Sequence, residues 1–85
     1  MALNIAYFAW VRERMGVADE TVDLPAGVAD VGALVAWLAA RDARGQIAFA
    51  EPHRIRAAID GVMMGPDAPL LGAREVALFP PVTGG

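Results

Sequence analysis

The alternation of apolar and polar residues along the chain predicts five short β-strands. They are expected to span residues 3–8, 20–24, 55–59, 62–64 and 75–79. In the first strand, alternation places Tyr7 on one face and Phe8 on the other. In the last strand it separates Leu78 from Phe79 in the same way. If these two strands are neighbours, Phe8 and Phe79 share one face of the sheet.

Two helices are predicted between the strands. Residues 9–15 suit a short helix that ends at Gly16, because glycine tolerates the left-handed conformation of a helix C-cap. Asp30 is a suitable N-cap for a second helix, since its carboxylate can accept a free backbone N–H. The apolar residues that follow have helical spacing and predict one buried stripe: Val31, Leu34, Val35 and Leu38.

The turn signals complete the expected architecture. Asp60-Gly61 is typical of a tight hairpin turn, and residues 65–74 predict a loop. The order strand, strand, helix, strand, short strand, strand predicts an α+β fold of the β-grasp (ubiquitin-like) type. In such a fold a mixed sheet carries one main helix on one face, so the other face is wet or covered by a partner. We expect one domain over residues 1–85, with a flexible tail over residues 80–85.

Composition narrows the possible functions. The 85 residues include no Cys and one His, so neither thiol catalysis nor a thiolate or multi-histidine metal site is expected. The net charge is −3, all seven basic residues are Arg, and no basic run is present, which argues against nucleic acid as a partner. Neither a secretory signal nor an apolar run of about 20 residues is visible, so we expect a cytoplasmic protein away from membranes.

The last seven residues carry the clearest functional signal. Pro80-Pro81 is stiff and extended, which lowers the entropy lost when a tail is threaded into a partner. Gly84 and Gly85 have no Cβ, so their backbone fits a channel too narrow for other residues. The terminal carboxylate becomes an acyl donor only after activation by another protein, since the chain has no phosphate-binding loop.

Three segments carry a resemblance to a known family. The ending FPPVTGG, the opening YFAWVRERMG and residues 55–71 resemble the small subunits of molybdopterin synthase. The resemblance runs from Leu3 to Gly85, and FPPVTGG is its most specific part. One departure is Gly72-Ala73-Arg74, where an acidic turn is usual before the last strand.

This resemblance implies a sulfur-carrier cycle. An E1-like adenylating enzyme uses ATP to adenylate Gly85, and a sulfur donor protein supplies the sulfur of a thiocarboxylate. Gly84 enters the channel of the large synthase subunit with Gly85, and the sulfur passes to a cyclic pterin precursor. The chain then has no catalytic activity alone, holds no cofactor stably, and assembles with the large subunit into a heterotetramer.

Further residues are candidates for the partner interface. They are Phe8, Phe79, Pro80, Pro81, Val82, Thr83 and, by the resemblance, Arg12. The alternative for the two phenylalanines is a small second core under residues 47–50, and for Arg12 it is a solvated helix face. His53 is expected on the surface, and the four methionines are expected to fill the core.

Three other functions remain open from the sequence. The chain is also compatible with a sulfur carrier for thiamin synthesis or tRNA thiolation, although such carriers typically lack the Phe-Pro-Pro-Val ending. A ubiquitin-like modifier that forms isopeptide bonds is another possibility. The last is a non-catalytic binding module, because fold alone does not specify function.

Overall fold

Residues 2–81 are described by the structure, which is a computed structural model. Five strands form a single sheet in the spatial order β2-β1-β5-β3-β4. Their bounds are β1 Ala2–Tyr7, β2 Asp19–Asp23, β3 Arg56–Ile59, β4 Val62–Met64 and β5 Glu75–Phe79. The central pair β1 and β5 is parallel, and the other three pairs are antiparallel. The predicted mixed β-grasp sheet is therefore confirmed.

The helices lie between β1 and β2 and between β2 and β3. Their bounds are α1 Ala9–Met15, α2 Val31–Arg41 and α3 Ala43–Ala48, followed by a 3₁₀ turn at Pro52–Arg54. Both predicted helices are confirmed, and α1 has the predicted bounds. Gly16 ends α1 with a φ of 79°, and its N–H donates to the Arg12 carbonyl at 2.9 Å. No helix among residues 2–81 is long and apolar enough to cross a membrane.

The N-terminus of α2 follows the predicted capping pattern. The Asp30 carboxylate accepts the Ala33 N–H at 2.7 Å, which satisfies one of the free donors of the first turn. The predicted stripe of α2 is buried against the sheet, and Leu34 and Leu38 are fully inaccessible to solvent. The helix thus covers one sheet face, as expected.

The first strand ends one residue earlier than predicted. Phe8 lies outside β1 as the extended residue before α1. Its N–H still donates to the Leu78 carbonyl at 3.1 Å, but its carbonyl already accepts the N–H groups of Val11 and Arg12. The helix therefore begins where the strand pairing ends. Strand β2 is likewise displaced by one residue from its predicted range.

A third helix, α3, and the 3₁₀ turn were not predicted. Asp42 caps α3 by accepting the Gly45 N–H at 2.8 Å. Gly45 packs so closely on α2 that a Cβ there would overlap the Leu38 carbonyl, so only glycine fits. Just after α3, Phe49 is buried, and its ring centroid lies 6.4 Å from that of Tyr7. The segment around residues 47–50 thus contributes to the main core.

The prediction that the methionines fill the core is wrong for two of them. Met15 is buried, whereas Met63 and Met64 are 61% and 42% exposed. Both belong to β4, a three-residue strand that lies at the edge of the sheet and, within residues 2–81, pairs with β3 alone. Side chains on such an edge have a neighbouring strand on one side only. Met1 lies outside the described residues.

The turns before β4 and β5 form as the sequence indicates. Asp60 and Gly61 have φ values of 48° and 86°, as a tight hairpin turn requires. The Asp60 carboxylate also accepts the N–H groups of Arg74 and Glu75 at 3.1 and 2.9 Å. Gly72 supplies a left-handed residue, with φ 83°, in the turn where the sequence departs from the usual acidic pattern. That turn is therefore well formed without the acidic residues.

Candidate partner-binding face and carboxyl-terminal tail

The sheet face opposite α2, here called the open face, is flat at its centre. The strand register aligns Ala6, Ala77, Ala58 and Met63 in one row across β1, β5, β3 and β4. Alanine side chains rise little above the backbone, so this row forms a shallow surface. A flat surface of this kind suits docking against another protein better than enclosing a small molecule.

The open face is apolar and aromatic at the end where β5 leaves the sheet. Phe79 is partly buried there, opposite Arg56 of β3. Phe8 is 51% exposed and follows Tyr7, the register partner of Leu78. Because β1 and β5 are parallel neighbours, the two phenylalanines reach the same end of the sheet. The predicted proximity of Phe8 and Phe79 is confirmed.

The other end of the open face is polar. Asn4 donates through Nδ2 to Oε2 of Glu75 at 3.0 Å. Thr21 donates through Oγ1 to Oδ1 of Asn4 at 3.5 Å. These three side chains continue the face across β2, β1 and β5. The open face thus changes from polar to apolar along β5, toward the tail.

The alternative of a second small core under residues 47–50 is not supported. Neither Phe8 nor Phe79 packs against the cluster of buried residues, whereas Phe49 belongs to it. Ile47, the other large apolar residue of that segment, is 61% exposed. The apolar end of the open face is therefore a surface that the domain itself leaves partly uncovered.

The tail begins immediately after β5. The strand ends at Phe79 because Pro80 and Pro81 have no N–H to donate to a ladder. Both prolines are partly buried. The remaining predicted site residues, Val82, Thr83, Gly84 and Gly85, lie outside the described residues, so their roles stay predictions.

Arg12, the remaining predicted interface residue, is exposed on α1. Its guanidinium makes no hydrogen bond or ion pair within residues 2–81. This observation agrees both with a partner contact and with a solvated helix face. His53 is exposed in the 3₁₀ turn, as expected, and its carbonyl accepts from Arg56 at 2.9 Å.

One cluster near the tail was missed at the sequence level. The Arg14 guanidinium carbon lies 4.3 Å from the ring centroid of Trp10, and that of Arg54 lies 5.7 Å from the same centroid. Such cation–π contacts hold a guanidinium over an aromatic face. Trp10 and Arg14 are four residues apart on α1, and this spacing predicts the contact between them. The approach of Arg54 depends on the 3₁₀ turn, which no sequence pattern indicated.

A second polar network joins β1, β2 and α2. The Tyr7 hydroxyl donates to Oε2 of Glu20 at 2.7 Å. The Arg41 guanidinium donates to both Glu20 oxygens, each at 2.8 Å. Burial, followed by the hydrogen bond to Glu20, raises the pKa of Tyr7, and the hydrogen bonds from Arg41 lower the pKa of Glu20. The network fixes the end of β1 immediately before Phe8.

The described part of the chain offers no constellation for catalysis. Within residues 2–81, no three His, Asp or Glu side chains come together as metal ligands. The carboxylates of Glu20 and Asp60 are occupied by structural hydrogen bonds.

Comparison with known protein families matches residues 5–85 to the ThiS family. The chain belongs to this family. It is 36% identical to the molybdopterin synthase sulfur carrier subunit of Escherichia coli strain K12, over 98% of this chain and 99% of the relative. The Haemophilus influenzae protein of the same name is 32% identical over the same shares of both chains. The resemblance read from the tail and the opening is confirmed.

A solved structure has the same fold as this ThiS-family chain. SAMP1 from Haloferax volcanii superposes with a TM-score of 0.72, and the match covers 100% of both chains. The two sequences are 24% identical, so this likeness establishes the β-grasp fold alone.

Proposed function

We propose that this chain is the sulfur-carrier subunit of a molybdopterin synthase. The observation that carries the proposal is its near full-length similarity to two relatives of that name. The geometry supports it, because the central strand β5 leads directly into a stiff Pro-Pro segment at the apolar end of the open face. The domain is then a rigid holder for a reactive terminus.

The proposed reaction begins at the Gly85 carboxylate. In the E1-like adenylating enzyme, a carboxylate oxygen attacks the α-phosphate of ATP, and pyrophosphate leaves. A persulfide sulfur on the donor protein then attacks the acyl carbon, and AMP leaves with the former carboxylate oxygen. A thiol reductant cleaves the S–S bond of the resulting acyl disulfide and releases the donor protein. The product is a thiocarboxylate at Gly85. The sequence contains no Cys, so the terminus is the position on this chain where transferable sulfur would reside.

In the second half of the cycle the tail enters the large synthase subunit. Gly84 and Gly85 pass a channel sized for bare backbone. The thiocarboxylate sulfur attacks a carbon of the cyclic pterin precursor and displaces an oxygen substituent, and water then cleaves the acyl–sulfur bond, which restores the Gly85 carboxylate. The apolar end of the open face docks beside the channel mouth. Phe8 and Phe79 contribute apolar area there, Met63 adds apolar area at the outer edge of the same face, and Pro80-Pro81 stiffens the start of the tail. Binding through both the face and the tail fixes the distance from domain to sulfur.

Intact mass measurement after incubation with ATP, the adenylating enzyme and a sulfur source tests this proposal. The wild-type chain should gain the mass that corresponds to replacement of one oxygen by one sulfur. Deletion of Gly85 should abolish the gain, because it moves the carboxylate back by about 3.5 Å. Gly84→Ile should do the same by obstructing the channel, while Gly84→Ala should be milder.

The same variants provide the controls. Within residues 2–81 the ladder pairs of β5 end at Phe79, so the changes at positions 84 and 85 should leave the melting temperature unchanged. Sulfur acceptance by the Gly85-deleted chain would refute the proposal. Conjugates of the chain with other proteins, in place of a thiocarboxylate, would favour a ubiquitin-like modifier instead.

A further inference from the structure

Two cations share one aromatic ring on the surface beside the tail. The guanidinium carbons of Arg14 and Arg54 lie 4.3 and 5.7 Å from the ring centroid of Trp10. Together with Ala48, Ala50 and Glu51, these three side chains line a shallow cleft of about 290 Å³. The cleft joins the last turn of α1 to the 3₁₀ turn before β3. We call it the Trp10 cleft.

The charge of the Trp10 cleft is only partly balanced. Glu51 contacts Arg54 at 3.2 Å, but both side chains are more than half exposed, so this pair is weak. Arg14 has no carboxylate partner within residues 2–81. Two guanidinium groups therefore line one cleft, and the one carboxylate that lines it with them is weakly bound to Arg54. A second carboxylate entering the cleft would relieve this repulsion and gain two planar, multiply donating partners.

The cleft lies at the end of the sheet from which the tail departs. Arg56 pairs with Phe79, so in these antiparallel strands the residues before β3 run beside those after β5. Arg56 adds another cation there, and within residues 2–81 its guanidinium donates to the carbonyls of His53 and Ile55, at 2.9 and 3.3 Å, and to no carboxylate. A chain with net charge −3 thus presents positive charge beside Phe79, the residue from which the tail begins.

We propose that the Trp10 cleft binds an acidic side chain of the large synthase subunit, next to the mouth of the channel that receives the tail. This inference rests on the proposed function and adds a polar contact to the apolar docking of Phe8 and Phe79. The acidic side chain accepts hydrogen bonds from Arg14 and Arg54, and Trp10 holds both guanidinium groups in position. The contact orients the domain before the tail is threaded.

Electrostatic contacts at an interface rim act mainly on the association rate. Attraction between opposite charges speeds the encounter of two proteins, and salt screens it beyond about 10 Å at 0.1 M ionic strength. The cleft should therefore contribute strongly at low salt and little at high salt. An apolar contact such as that of Phe79 should instead contribute nearly equally at low and high salt, since it does not depend on screening.

Three variants are compared with the control Arg74→Gln. They are Arg14→Gln, Arg54→Gln and the double variant that carries both of these changes. Arg74 is the matched control because it is exposed, has no carboxylate partner within residues 2–81, and lies at the opposite end of β5. Each single variant changes the net charge by the same amount. Association and dissociation rates with the purified large subunit are measured by stopped flow at 50 and 500 mM NaCl, using full-length chains.

At 50 mM NaCl the double variant should bind about 5- to 10-fold more weakly, mostly through slower association. At 500 mM NaCl this difference should nearly disappear. Arg74→Gln should behave as wild type at both salt concentrations, and Arg14→Lys, which keeps the charge, should retain most of the affinity. Melting temperatures of all variants should agree, because both arginines are exposed.

Two results would overturn the inference while leaving the proposed function intact. The first is a double variant that binds the large subunit as tightly as the wild type does. The second is an Arg74→Gln variant that loses as much affinity as the cleft variants. If the wild-type chain itself does not bind the large subunit under any condition, the proposed function fails as well. The wild-type measurement thus separates failure of the cleft from failure of the function.

Discussion

The two faces of the sheet come from the same strands but differ in the size of their side chains. On the covered face, Leu3, Ile5 and Leu78 are inaccessible to solvent beneath α2. On the open face the central positions are filled by Ala6, Ala58 and Ala77, with larger apolar groups only at the tail end and the outer edge. Adjacent residues of one strand thus have different surroundings, since one packs beneath α2 and the next lies on the open face.

The two faces differ in what they contribute to stability. Large aliphatic groups interlock with a helix and hold the fold, since burial of apolar area is the dominant favourable contribution to folding. Small groups on the opposite face leave a flat surface that folding does not use. Substitutions on the covered face should therefore reduce stability, and those on the open face should reduce partner binding.

The largest expected effect on stability is on the covered face. Leu38→Ala or Leu34→Ala should lower the free energy of unfolding by about 2–5 kcal/mol, because each side chain is fully buried and leaves a cavity. Urea denaturation of each variant measures the loss. A loss below about 1 kcal/mol would mean that the core repacks freely around the missing atoms.

The sharpest test of the open face is Phe79→Ala. Loss of an aromatic anchor should weaken binding to the large subunit by at least about 2 kcal/mol, or roughly 30-fold. Because Phe79 lies outside the core cluster, the melting temperature should change far less than in Leu38→Ala. Calorimetric titration and thermal unfolding of the same variant compare the two effects. A large loss of stability would instead place Phe79 among the structural residues.

A smaller effect is expected from the network that fixes the end of β1. Glu20→Gln should reduce stability by about 1–2 kcal/mol near pH 7, since it weakens charge-assisted bonds from Tyr7 and Arg41. The pKa of Glu20 is lowered by folding, so its contribution is fully present above the ordinary glutamate value near 4.3. The contribution is lost as the pH falls below that value through the lowered pKa of the folded state.

Thermal unfolding between pH 7 and pH 2 checks this pH dependence. The gap between wild type and Glu20→Gln should close only at the acid end of the range. Glu13→Gln, at an exposed position of α1, is the control for loss of one carboxyl group. A gap that stays constant down to pH 2 would mean that the charge of Glu20 is not what stabilises the network.

The smallest effect on stability should come from Met63→Ala. Met63 is 61% exposed on the edge strand, so the free energy of unfolding should change by less than about 0.5 kcal/mol. The matched change Met15→Ala, at a buried position of α1, should cost about 2–5 kcal/mol. Urea denaturation of both variants measures the contrast, and similar losses would remove the distinction between the two faces.

Local signals in the sequence were sufficient for much of the fold. Asp30, Gly16 and Asp60-Gly61 each act through their own backbone or the next few residues, so the sequence shows their roles directly. Helix α3 was missed because Gly45 reads as a helix breaker. Position 45 requires glycine because its backbone closely approaches Leu38 of α2, a contact that only the folded chain reveals. The Asp42 cap and the following Phe49 were the available signals.

The candidate site also combines residues that local sequence signals indicate with residues that only the fold brings together. The tail was recognised from its residue types, because proline and glycine restrict or free the backbone wherever they stand. Strand alternation was enough to place Phe79, but not to show that Met63 lies on an exposed edge. Which strand ends the sheet depends on the order of pairing. The Trp10 cleft depends similarly on Arg54 approaching from a turn distant in sequence.

The position of β5 also has a mechanical consequence. A tail drawn into a narrow channel transmits force back along the strand that carries it. Strand β5 pairs over four residues with β1 and over four with β3, and these hydrogen bonds run across the direction of pull. Force along the axis therefore loads both ladders in shear, so the bonds resist together instead of opening one by one. Tension on β5 is therefore shared by three strands.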